Sequence, residues 1–93
     1  MNFTWDPEKA ATNLARHGLS FEEASTAFGD PLQRTIPDPL HSDDEDRFIL
    51  LGMTSAGRLV VVVHTDRDGT TRLITARIAT AGERRRYEQT DEE

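Results

Sequence analysis

The sequence predicts a small α+β domain, and three observations carry that expectation. Apolar residues recur at helical spacing behind capping residues over the first 30 positions. From Arg47 the pattern changes to three β-rich runs separated by turn residues, and near the end Thr80 and Glu83 form a capping box that opens a short helix. Ninety-three residues make one domain, spanning 1–93, with a thin core. The chain has no cysteine, so disulfides, thiolate nucleophiles and cysteine-held zinc are excluded.

Asp6-Pro7 supplies an N-cap and a proline at the first helical position; Ala10, Ala11 and Leu14 then form an apolar face, and Gly18 is placed to end the helix. Ser20 and Glu23 read as a second capping box ahead of Phe21, Ala24 and Phe28, and Gly29-Asp30-Pro31 stops that helix. Residues 31–46 are a loop-rich connection. They hold Pro31, Pro37, Pro39 and the acidic run Asp43-Asp44-Glu45-Asp46, with a short edge strand near Gln33–Ile36. Strands are expected over Arg47–Met53, Arg58–Thr65 and Thr70–Ile78, giving a three- to four-stranded antiparallel sheet. Leu59 to Val63 is apolar at every position and reads as the central strand. A final helix runs to about Glu88, and residues 89–93 form an acidic tail expected to be disordered.

The net charge of −6 conceals an asymmetry. Residues 1–57 carry four basic and ten acidic side chains, whereas residues 58–87 carry seven arginines against Asp66, Asp68 and Glu83. Ten of the 11 basic residues are arginine, whose planar fork suits phosphate or carboxylate recognition. The longest apolar run is five residues, and the N-terminal residues have neither the basic lead nor the apolar stretch of a signal peptide. The expectation is a soluble cytoplasmic protein with no membrane contact, stabilised in part by a partner.

If Asp66–Gly69 closes a four-residue hairpin, His64 faces Thr71, Arg58 faces Arg77, and all share one sheet face. Two arginines and a histidine gathered on one face call for an anion between them. A one-residue slip scatters the set. On the following helix Glu83 and Tyr87, four apart, share a face beside Arg84. These are parts for RNA cleavage: a base for the ribose 2′-hydroxyl, an acid for the leaving oxygen, and guanidiniums for the developing charge. Each has a plainer role available. Glu83 can serve only the cap, His64 a surface hydrogen bond, Tyr87 the anchoring of its helix, Arg67 a solvated turn, and Lys9 the surface.

Several segments carry a resemblance along nearly the whole chain. They are Phe3-Thr4-Trp5-Asp6-Pro7-Glu8-Lys9, Asn13 through Ala24, Phe28-Gly29-Asp30-Pro31 and Asp38-Pro39-Leu40-His41-Ser42. The most specific are Arg72 through Thr80 and Glu83-Arg84-Arg85-Arg86-Tyr87-Glu88. In their order and spacing the chain resembles the BrnT family of bacterial type II toxins. The resemblance implies a RelE-like fold and a ribonuclease activity that stops translation; with the 2′-hydroxyl as nucleophile no metal is needed, and no cofactor is expected. The resemblance also implies neutralisation by a BrnA-like ribbon-helix-helix antitoxin, through which alone the toxin reaches promoter DNA. By position it nominates Arg77, Glu83, Arg84, Tyr87 and His64 as catalytic, and Arg67 as binding. Arg58, Arg72 and Lys9 complete the candidate RNA- or phosphate-binding set. Asp66 and Thr75 stand where the family pattern has Glu and Ser. The rival reading is a non-catalytic binding module that acts as corepressor within a DNA-binding complex.

Overall fold

The computed structural model describes residues 1–41 and 46–89. The acidic positions Asp43, Asp44 and Glu45, and the tail from Thr90, lie outside the described residues.

Two helices pack on one face of a five-stranded sheet, and a third lies against the other. In chain order the elements are β1 (Asn2–Thr4), α1 (Pro7–His17), α2 (Phe21–Ser25), β2 (Arg34–Pro37), β3 (Arg47–Met53), β4 (Leu59–Arg67), β5 (Thr70–Ile78) and α3 (Ala81–Glu88). The caps act as their residue types dictate. Asp6 accepts from the Glu8 N–H at 2.9 Å, Ser20 accepts from the Glu23 N–H at 3.0 Å, and Gly18 closes α1 with φ of 66°. The expected Ser20/Glu23 box is only half made, because the Glu23 carboxylate turns to Arg58 and Thr54.

The spatial strand order is β1-β5-β4-β3-β2. This corrects the three- to four-stranded antiparallel expectation: the sheet has five strands and is mixed, because β1 pairs with β5 in parallel. Three residues show no alternation, and a parallel partner nearly 70 positions away leaves no local trace. The second helix is shorter than expected, its last turn from Thr26 to Gly29 tightening to 3₁₀ geometry. α1 also buries a different side: Asn13 is its buried residue, whereas Leu14 is half exposed.

The β4–β5 hairpin departs most from expectation. Its turn is two residues long, with Asp68 and Gly69 at φ of 55° and 78°, and Arg67 pairs directly with Thr70. Positive φ at both central positions is a type I′ turn, which Asp-Gly favours and which matches the strand twist. A register shift between Val63 and His64 then moves the pairing again, so Val61 opposes Arg77. Arg58 precedes β4 and has no partner in this ladder.

β4 is the central strand, as its all-apolar run predicts. Val60 and Val62 face the helices, packing with Leu50, Leu73 and Ala76 against Leu19, Phe21, Ala24 and Ala27. Leu59 and Val61 face the other way, with Leu51 and the partly buried Ile49, Met53, Ala79 and Tyr87. Trp5 packs edge-on to Phe21 at the rim of the first layer. Asn13 joins α1 to β5 beyond the end of β1. Its amide donates to Ala76 O at 2.8 Å and Leu19 O at 3.1 Å, and its oxygen accepts from the Ala76 N–H at 3.0 Å. The side chain thus replaces a neighbouring strand at an edge otherwise left unpaired. No helix among the described residues is long and apolar enough to cross a membrane.

Candidate nucleic-acid-binding and catalytic face

The sheet divides the nine nominated residues into two groups. Directly opposed residues share a face, so Thr65 places Arg72, and Val61 places Arg77, on the side where α3 lies. Arg67, two residues beyond Thr65, points the same way. Arg67, Arg72 and Arg77 therefore form a row on one open face, with Glu83, Arg84 and Tyr87 of α3 at the Arg77 end. At roughly 3.3 Å per residue the row from Thr70 to Arg77 is about 23 Å long, a track rather than a single pocket.

Arg58, His64 and Lys9 lie elsewhere, which corrects the expected convergence of Arg58, His64 and Arg77. The register shift after Val63 reassigns the faces, because it moves the pairing by one residue. Arg58 is on the helix side, making a two-point contact with Glu23 at 2.6 and 3.0 Å and donating to Gly18 O. That contact ties α2 to the sheet. His64 is 2 % exposed, its ring 4.8 Å from Phe28 and 5.8 Å from Phe48. Its Nδ1 is 3.3 Å from an Asp66 carboxylate oxygen, poorly aligned for a hydrogen bond. Burial holds the imidazole below its ordinary value against the pull of Asp66, so it is neutral at pH 7. Lys9 is exposed on α1, beside Arg16 and His17 in a groove at the edge of β5.

The Arg77 end has the most developed chemistry. Arg77 donates from both terminal nitrogens to the two Glu83 oxygens, each at 2.8 Å. Glu83 also completes the capping box, accepting from the Thr80 N–H at 2.8 Å while its own N–H donates to Thr80 Oγ1. It thus serves the cap, as weighed from the sequence, and holds Arg77 as well. The Arg77 guanidinium, helped by Thr80 and opposed by burial, pulls the Glu83 carboxyl down to about 2. Arg84 is half exposed one position on, 3.7 Å from Glu88. At the far end Arg67 pairs with Asp46, and Arg72 is exposed on a polar concavity with Thr4, Thr65 and Thr70.

Tyr87 anchors α3 by its ring and by its hydroxyl, which donates to Asp30 at 2.6 Å. Asp30 also accepts from the Met53 and Leu32 N–H groups. Burial acts to raise its carboxyl, but the three hydrogen bonds outweigh this and hold it low. Asp30 is the residue that sequence reasoning missed at this site; its place in Gly-Asp-Pro signalled only a helix stop. Burial and the Asp30 charge push the Tyr87 hydroxyl up to about 12. Tyr87 is the chain's one tyrosine, so absorbance at 295 nm reports it alone. The wild type is expected to titrate near pH 12, and Asp30→Asn lower. The sign for stability follows: the protonated hydroxyl is favoured by folding, so stability falls as pH rises from 10 toward 12. A wild-type midpoint near 10 would show that the bond to Asp30 does not persist in solution.

Among solved structures, the fold is similar to that of the Brucella abortus ribonuclease toxin BrnT. The TM-score is 0.68 at 23% sequence identity, covering 86% of this chain and 97% of that one. A search of curated proteins finds no match. The sequence model described as the ribonuclease toxin BrnT of type II toxin–antitoxin systems matches residues 5–83. The chain belongs to the BrnT family. That match spans every nominated residue except Arg84 and Tyr87.

Proposed function

We propose that this chain is a metal-independent, RelE-like endoribonuclease toxin that inhibits translation by cutting RNA. The observation that carries the reading is the Arg77–Glu83 pair at the end of the arginine row on the open sheet face. The backbone of a single strand lies along Arg67, Arg72 and Arg77, its negative charge met by fixed guanidiniums. At the scissile phosphate, Arg77 and Arg84 hold the non-bridging oxygens. A phosphate on Arg77 draws the guanidinium away from Glu83, and the released carboxylate becomes a stronger base. Glu83 takes the 2′-hydroxyl proton as that oxygen attacks phosphorus. The bond to the 5′-oxygen breaks, and Tyr87, turned from Asp30, protonates it. The products are a 2′,3′-cyclic phosphate and a 5′-hydroxyl. His64 and Arg58, placed behind the sheet, have structural roles in this reading.

A ribbon-helix-helix antitoxin of the BrnA kind neutralises the toxin, and through it the pair binds promoter DNA. The test is incubation of purified protein with RNA in EDTA, followed by analysis of product ends. Cleavage to cyclic phosphate and 5′-hydroxyl is the expected result. No cleavage, or cleavage only with added metal, contradicts the reading.

A further inference from the structure

A second feature of the open face adjoins the proposed catalytic end. Between α3 and the edge strand β2 runs a groove of about 350 Å³ with Ile36, Ile49, Leu51 and Val61 on its floor and Arg34 and Arg86 on its rim. Among the described residues Glu83 is its one acidic lining residue, and it is committed to Arg77. β2 ends the sheet, and among the described residues no strand pairs with its outer edge, which leaves it to strand addition. The same edge segment is unusually apolar: Leu32, Ile36 and Leu40 are 67%, 54% and 85% exposed. Three such residues within nine positions, beside an apolar groove, exceed the scatter expected on a solvated surface.

Resting on the toxin reading above, we infer that this groove and the β2 edge are the docking site for the antitoxin, which presents an acidic segment with an apolar face. The floor and the exposed leucines select apolar side chains, and Arg34 with Arg86 selects carboxylates. RNA fits less well. Among the described residues no aromatic ring lines the groove for a base to stack on, and RNA has nothing to cover Leu32 and Leu40. Glu83 belongs both to the groove wall and to the Arg77 pair, so an occupant of the groove sits against the proposed catalytic end. Docking there obstructs the RNA track directly.

The test is calorimetric titration of the purified cognate antitoxin into the full chain, wild type, Ile36→Glu and Arg34→Glu, each first checked by thermal melt. A charge placed in the apolar contact is expected to weaken binding by ~100-fold, and reversal at the rim by ~10-fold, with RNA cleavage by the free toxin unchanged. Wild-type affinity in both variants overturns the groove assignment while leaving the toxin reading intact. Loss of cleavage by Ile36→Glu with antitoxin affinity retained assigns the groove to RNA instead. A wild type that cleaves no RNA and binds no antitoxin defeats the toxin reading itself.

Discussion

Replacing Arg77 with alanine is expected to reduce RNA cleavage by roughly 10²- to 10³-fold, the usual loss on removing one preorganised donor to transition-state charge. The fold should survive. The Arg77 side chain is 41% exposed, and pairs of that kind contribute only about 0–1 kcal/mol. Glu83 keeps its bonds to Thr80, so α3 keeps its N-terminal cap. Arg77→Lys retains the charge but not the fork, and is expected to recover only part of the activity. Single-turnover cleavage rates, with melting temperatures as the control, check this. Wild-type rates in Arg77→Ala would remove the residue from the mechanism.

The largest effect on stability is expected at Asn13, a residue with no place in the chemistry. Asn13→Ala strands the Ala76 N–H at the buried edge of β5 and leaves two carbonyls without their donor. An unsatisfied buried group costs about 1–3 kcal/mol, and each kcal/mol lowers Tm by roughly 4–8 °C in a domain of this size. Asn13→Asp keeps the volume and one acceptor but sets a carboxylate against two carbonyl oxygens. It should also melt well below wild type. Thermal melts followed by circular dichroism decide the matter, and a tolerated Asp would mean that packing, not hydrogen bonding, holds α1 on β5.

The sequence reveals much of this architecture through local rules. Asp6-Pro7, Ser20 and the Thr80/Glu83 box mark helix starts where helices begin, and the apolar run from Leu59 marks the central strand. Relations that depend on distant pairing are not legible in that way. β1 is three residues whose partner is β5, and Asn13 reads as an ordinary helix residue until Ala76 is beside it. For the candidate site the decisive detail is the hairpin. Asp68-Gly69 closes a two-residue turn, and the shift after Val63 changes which side chains share a face. The shift alone separates Arg77 from Arg58 and His64: moving the pairing by one residue exchanges the faces, whereas the shorter turn moves it by two and preserves them. The contact of Arg77 with Glu83 is within reach of sequence reasoning because only six positions separate them along the chain. Asp30, the partner of Tyr87, is 57 positions away.

The central claim is that RNA is held by the face bearing Arg67, Arg72, Arg77 and Arg84, and not by the face bearing α1 and α2. Backbone amide NMR shifts on titration with RNA carrying 2′-O-methyl riboses, which has no nucleophile, measure this directly. The account predicts shifts concentrated along β5, the end of β4 and the start of α3, with Lys9, Arg58 and His64 unmoved. Shifts confined to α1, α2 and the Arg58 region would contradict it.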